Sequence, residues 1–308
     1  MNIVITDYID LLEADWETLR TLGDVTVYED IPQTESDIIR RIAKAELITV
    51  SWIDITAPII HNSPHLKYIV VPAVGYDQID LQAAQKRGIR IINCPRHNAL
   101  AVAEYTIGLM FAVTRHIIAA HRSIQHNSWN PHRYQGVELR GKHLVLIGYG
   151  NTGRQVAQLA QGLGMSMDWA SSNTSPEQLD QLIASADILS LHLPLTPSTH
   201  HLLDARRLTL MKSSAYLINT ARGAIVDQQA LIKALKQQRI AGAALDVFDN
   251  EPITDGPNAQ IIELSTLPTV VATPHIAYNT QESTARLGQE LIANIKACLQ
   301  GKPINMVG

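Results

Sequence analysis

The chain is poor in cysteine: Cys94 and Cys298 are its only two, far apart and outside any CxxC spacing. That excludes a disulfide framework and a thiolate zinc site, and it fits a reducing compartment. It also lacks any Lys- or Arg-rich run, and its 25 basic residues are outnumbered by 29 acidic ones. Such a chain carries no electrostatic footprint for nucleic acid or an anionic membrane. The opening residues, MNIVITDYID, have no basic segment, and their apolar run is too short for a signal peptide or a membrane span. A cytoplasmic protein with neither nucleic acid nor membrane as partner is expected. Histidine is not scarce, at 12 residues. Yet His116, His121 and His126 are five apart, which turns successive rings about 140° around a helix instead of onto one face. No metal is expected.

What is present describes a globular protein: 308 residues, 46% apolar and 18% charged, enough for two domains with their own cores. The first hundred residues alternate apolar runs (NIVITD, DVTVYE, ELITVSW, KYIVVPA, RIINC) with amphipathic stretches, the pattern of a parallel sheet covered on both faces. From Asn98 to about His126 a stretch with no Pro, and no Gly but Gly108, predicts one long helix. A second β/α series follows, with strands KHLVLIGYG, MSMDWAS, ADILSLHLP, AYLINTA, AGAALDVF and TVVATPH. Within it SPEQLDQLIAS carries a helix start, with Ser175 as N-cap, Pro176 first and Gln178 placed for a capping box. A closing helix is predicted from about Gln281 to Leu299.

Gly148-Tyr149-Gly150-Asn151-Thr152-Gly153 is a G-x-G-x-x-G between the apolar strand LVLI and the helical pattern RQVAQLAQGLG. In that context the glycines serve a tight turn (Gly148), close backbone approach to a pyrophosphate (Gly150) and helix–strand contact (Gly153), with the phosphates on the helix N-terminus. A nicotinamide dinucleotide is the expected cofactor. About 20 residues on, where an Asp or Glu would accept from the ribose 2′-hydroxyl of NAD, stand Ser171, Ser172 and Asn173. Asp168 lies earlier, inside the strand, and is expected to face away. NADP(H) is therefore favoured over NAD(H), although no Arg follows immediately to pair with a 2′-phosphate.

Three further strands end in groups suited to hydride chemistry: NTARG (Asn219 to Gly223), DVFDNEP (Asp246 to Pro252) and TPHIA (Thr273 to Ala277). With VPAVGYDQIDL, NALAVAEYTIGLM and LHLPLTPSTHHLL, these stretches make the chain resemble the D-isomer-specific 2-hydroxyacid dehydrogenases over nearly its whole length. The resemblance implies an α/β protein of two lobes, a Rossmann dinucleotide-binding domain (98–284) inserted into a flavodoxin-like substrate domain (1–97 plus 285–308). It also implies a homodimer built on the long helix and the loop after it.

Position by position, it makes His275 the acid/base, Glu251 the carboxylate partner that holds the ring and favours its charged form, and Arg222 the clamp on the substrate carboxylate. The N–H groups of Val74 and Gly75 hold the other side of that carboxylate. Asp246 accepts from the nicotinamide carboxamide, and His192, Pro194, Thr220 and Ala221 line the cofactor. Trp52 either shapes the substrate pocket or is an aromatic at a lobe edge. The expected reaction is reduction of a 2-oxo acid to its 2-hydroxy acid, glyoxylate or hydroxypyruvate first and D-lactate-type pyruvate reduction next. Glu251, where formate dehydrogenases carry Gln, argues against that branch. A dinucleotide-responsive corepressor with little turnover is the rival from another class.

Overall fold

A computed structural model describes residues 1–252 and 256–307 of the chain. The chain begins β1 (Asn2–Ile5), α1 (Glu13–Arg20), β2 (Asp24–Val27), α2 (Glu35–Ile42), β3 (Leu47–Thr49), α3 (Ala57–His61), β4 (Tyr68–Val71), α4 (Leu81–Lys86), β5 (Arg90–Asn93). Two helices follow in succession, α5 (Ala99–Thr114) and α6 (Ile117–Gln125). Then come β6 (His143–Ile147), α7 (Asn151–Gly162), β7 (Ser166–Ala170), α8 (Pro176–Ser185), β8 (Ile188–Leu191) and α9 (Ala205–Leu210). The series continues with β9 (Tyr216–Asn219), α10 (Gln228–Lys236), β10 (Gly242–Leu245), α11 (Ala259–Thr266) and β11 (Val270–Ala272), before α12 (Gln281–Leu299) and β12 (Met306–Val307).

These elements form two compact units, Met1–Asn98 with Asn279–Gly308, and Ala99–Tyr278. The return to the first unit thus comes at Asn279, ahead of position 285, and Gly308, where the expected substrate domain ends, lies outside the described residues.

In the first unit the sheet order is β12-β5-β4-β3-β1-β2, parallel except for β12, which runs antiparallel to β5. Setting β12 aside, this is the flavodoxin-like order, with its reversal between β1 and β3. Strands such as YIVV are buried at every position because helices cover both faces. Ile38, Ile42, Ile59 and Ile60 belong to one apolar cluster, and Leu19, Leu291 and Ile295 to another.

In the second unit all strands are parallel, in the order β11-β10-β9-β8-β6-β7, with its reversal between β6 and β8. Leu179, Ile183, Leu231 and Leu264 fill one cluster, and Leu109, Met110, Val156 and Ala160 another. The capping box of α8 forms as read, with Ser175 and Gln178 bonding each other's backbone.

The long helix does not run through. Residue His116 adopts a left-handed conformation (φ 56°) and separates α5 from α6. Among the described residues no helix is long and apolar enough to cross a membrane, and no three His, Cys, Asp or Glu side chains are grouped to hold a metal ion. Cys94 and Cys298 are both buried and free.

Candidate active site

The second unit gathers its chemistry at the carboxyl ends of its strands, where an open α/β sheet binds ligands. Gly148 leaves β6 at φ 101°, and a Cβ there would lie 2.2 Å from the carbonyl oxygen of His192. At Gly153 a Cβ would lie 2.3 Å from the carbonyl oxygen of Gly148, so both positions tolerate no side chain. Gly150 differs: it is the N-cap of α7, offers no side-chain acceptor, and a Cβ there meets nothing within 4 Å. This combination, a closed turn and an open, uncapped helix start, suits a dinucleotide pyrophosphate.

Around this loop, His192 meets Ser190 Oγ through Nε2 at 2.8 Å, and burial of its ring pushes the imidazole down to about 3, which keeps it neutral. Pro194 is tied in by the Thr199 hydroxyl, which donates to its carbonyl at 2.7 Å. Ser171, Ser172 and Asn173 follow β7 in exposed positions, while Asp168 contacts His143 Nε2 at 3.4 Å. Tyr149 stacks on Trp169 at 4.4 Å, and Arg154, from the first turn of α7, sets its guanidinium 5.8 Å from the Tyr149 ring centre.

Three neighbouring strand tips carry the reacting groups. At the end of β9, buried Asn219 fixes the turn: its Oδ1 accepts from Ala221 N (3.0 Å) and its Nδ2 donates to the Arg222 carbonyl (2.9 Å). Thr220 in that turn shares a 2.9 Å hydroxyl contact with Thr106 of α5. After β10, Glu251 Oε1 accepts from Phe248 N at 2.8 Å, and its Oε2 lies 2.6 Å from His275 Nδ1. After β11, His275 itself sits at φ 53°, a costly conformation for a non-glycine residue, held by its N–H donating to the Asp246 carbonyl at 2.8 Å.

Asp246 directly follows β10. Its side chain is fully buried, accepting from Thr273 Oγ1 (2.6 Å), Ile276 N (3.1 Å) and Ala277 N (2.7 Å). Burial pushes its carboxyl above the usual carboxylate range, against those hydrogen bonds. Its hydrogen bonds go to the loop that carries His275.

Residues 107–277 match the model of the D-isomer specific 2-hydroxyacid dehydrogenase NAD-binding domain. The chain belongs to this family. A glyoxylate reductase from Thermofilum pendens is 39% identical over 94% of this 2-hydroxyacid dehydrogenase chain and 89% of its own length. A D-3-phosphoglycerate dehydrogenase from Methanocaldococcus jannaschii is 35% identical over 98% of the chain, which spans 58% of that relative. Among solved structures, an acyclic imino acid reductase in complex with NADPH and D-Arg superimposes with a TM-score of 0.91, at 33% identity, over 100% of both chains. As a family member the protein is a nicotinamide-dependent oxidoreductase acting on oxo and hydroxy acids.

Of the residues read from the dehydrogenase sequence, the structure brings His275, Glu251, Asp246 and the Asn219–Arg222 turn onto adjacent strand tips of one unit. Val74, Gly75 and Trp52 belong to the other unit, after β4 and β3, with Val74 and Trp52 exposed. There Asn93 Nδ2 donates to the Val74 carbonyl (2.8 Å), and buried Asp7 takes the Ser51 and Trp52 N–H groups (3.0 and 2.6 Å). Sequence reasoning gave no role to Asp7, Arg154, Asn219 or Gln228. Only Asn219 had a local signal, an amide at a strand end before a turn.

Proposed function

We propose that this protein reduces a small 2-oxo acid to its D-2-hydroxy acid, with glyoxylate or hydroxypyruvate the favoured substrate and NADPH favoured over NADH. The observation that carries this reading is the 2.6 Å contact between His275 Nδ1 and Glu251 Oε2, on the strand tip beside the Arg222 turn. The reduced nicotinamide supplies hydride to the carbonyl carbon. With Nδ1 committed to Glu251, His275 has Nε2 to donate a proton as negative charge builds on the carbonyl oxygen. Arg222 pairs with the substrate carboxylate through its planar fork, a geometry Lys does not reproduce.

Asp246 holds the His275 loop. Val74 and Gly75 supply further donors to the carboxylate, and Trp52 shapes the substrate side, both roles resting on the family resemblance. Gly148 to Gly153, His192, Pro194, Thr220 and Ala221 cradle the dinucleotide. The hydroxyls and amide of Ser171, Ser172 and Asn173 would repel no 2′-phosphate, and Arg154 at the glycine loop adds a cation nearby. A homodimer is part of the reading: on α6, Ile117, Ile118 and Ile124 are 49%, 38% and 53% exposed, and Trp129 just beyond is 85% exposed. Light scattering of the wild type and of Ile124→Asp tests it.

The deciding experiment is the initial rate of NADPH and NADH oxidation against glyoxylate, hydroxypyruvate, pyruvate and phenylpyruvate, repeated with His275→Ala. Turnover that falls by about 10²-fold or more in the variant supports the acid/base role. Turnover untouched by the variant overturns that role for His275, and no turnover with any acid overturns the reductase reading and leaves a binding role such as corepression. The full-length similarity to an imino acid reductase favours one second reading, reduction of the imine formed from a 2-oxo acid and an amine. NADPH oxidation by pyruvate that appears only when methylamine is added would select it.

A further inference from the structure

The turn that carries Glu251 is clamped from outside the catalytic set. Gln228, the first residue of α10, is 6% exposed, and its Oε1 accepts from Asp249 N at 3.1 Å. Its Nε2 donates to Gln260 Oε1 on α11 at 2.8 Å, so both ends of a buried amide are used. From the N-cap of α11 a second side chain joins in: Asn258 Nδ2 donates to the Asn250 carbonyl at 2.9 Å. The same turn is pressed against the Arg222 turn, because a Cβ on Gly223 would stand 1.8 Å from the Phe248 carbonyl carbon and 2.4 Å from Asp249 N. Consecutive residues Phe248, Asp249, Asn250 and Glu251 are therefore each held, by Glu251, Gln228, Asn258 and His275 in that order.

We propose that Gln228 is a positioning residue for the reaction: by fixing Asp249 N, and through it the turn, it sets Glu251 at hydrogen-bond distance from His275. This rests on the reading of His275 and Glu251 given above. A carboxylate displaced by a fraction of an ångström loses a charge-assisted hydrogen bond of this length, and the imidazole loses its orientation. The amide type matters. Only an acceptor at Oε1 satisfies Asp249 N, and only a second polar atom satisfies Gln260.

The test compares Gln228→Leu, which removes both contacts at similar size, with Gln228→Glu, which keeps the acceptor and lets the Gln260 amide turn its own N–H toward it. The first readout needs no substrate: the downfield proton resonance of His275 Nδ1–H, assigned by its absence in His275→Ala. The expected result is a shifted or broadened resonance in Gln228→Leu and about a tenfold fall in kcat, with KM and dinucleotide Kd within about twofold. Gln228→Glu should recover most of both. Gln260→Leu, on the rim of the same clamp, should move both in the same direction by less, and it serves if Gln228→Leu does not fold. An unchanged resonance and kcat, or a lower thermal midpoint with no change in either, overturns the proposal. Because the resonance is read without turnover, a protein inactive on every 2-oxo acid still decides the clamp separately from the function.

Discussion

Acidification should weaken the first unit through His97. This residue closes the segment after β5 and is 4% exposed, with Nδ1 against the Cys94 carbonyl at 2.9 Å and its own carbonyl accepting from Arg286 Nε at 2.7 Å. Burial first, and the Arg286 charge after it, hold its imidazole down from 6.5 to about 4, outweighing the Cys94 hydrogen bond. Glu290 Oε2 lies 3.9 Å away, and burial raises that carboxyl above its ordinary value, which weakens its pull on the imidazole proton. Between pH 6.5 and 4 the unfolded chain binds a proton that the folded chain refuses, so unfolding free energy falls with falling pH. Its full contribution is present above pH 6.5 and is lost as the pH drops through the folded value, amounting to about 3 kcal/mol on the scale of one pKa unit per 1.36 kcal/mol. His97→Asn keeps a donor near the Nδ1 position and does not titrate. Urea unfolding followed by hydrogen exchange of the 90–98 segment, at steps from pH 7 to pH 4.5, should show the wild type losing stability relative to the variant. Parallel pH dependence of the two proteins would refute the reasoning.

Two further substitutions address the site. Gly223→Ala places a Cβ 1.8 Å from the Phe248 carbonyl carbon, which only backbone movement relieves, so kcat should fall by about 10²-fold and the thermal midpoint should drop; a variant with wild-type kcat contradicts the contact. Ser171→Asp introduces the acid that accepts from a 2′-hydroxyl and repels a 2′-phosphate, so the ratio of the NADPH and NADH dissociation constants should swing toward NADH by about tenfold or more. The quench of Trp169, half exposed beside the glycine loop, reads it; an unchanged ratio rejects the assignment of Ser171 to the ribose.

The sequence carries these features unevenly, and the reason is range. Strand LVLI, the hexad from Gly148 to Gly153 and the helix after it lie within one contiguous stretch, so period and glycine spacing expose them directly. The break at His116 has no such mark, because a left-handed residue that is neither Gly nor Asn gives no signal in composition. β12 pairs only two residues with β5, too few for alternation to register. Asp246 shows a deeper limit. Its type and its place at a strand end are legible, but burial and acceptance of donors from residues 27 to 31 positions later depend on the folded loop alone.

The Glu251 turn turns that limit into a physical statement about how such a site is built. His275, Glu251 and Arg222 come from three different strand tips, and no local sequence rule can fix their mutual distances. What fixes them is a set of backbone anchors placed where the tips meet: Asn219 on the Arg222 turn, Gln228 and Asn258 on the Glu251 turn, Asp246 on the His275 loop. All but Asn258 are buried, and each spends side-chain hydrogen bonds on main-chain groups, which costs little once the desolvated amides are paired and a great deal if they are not. Hence loss of one anchor should act on the rate more than on substrate binding, and loss of two anchors on one turn, Gln228 and Asn258, should be non-additive. Kinetics of the two single variants and the double variant would show it: an interaction energy near zero in kcat would mean that the anchors stiffen the turn independently and that no shared position of Glu251 is being held.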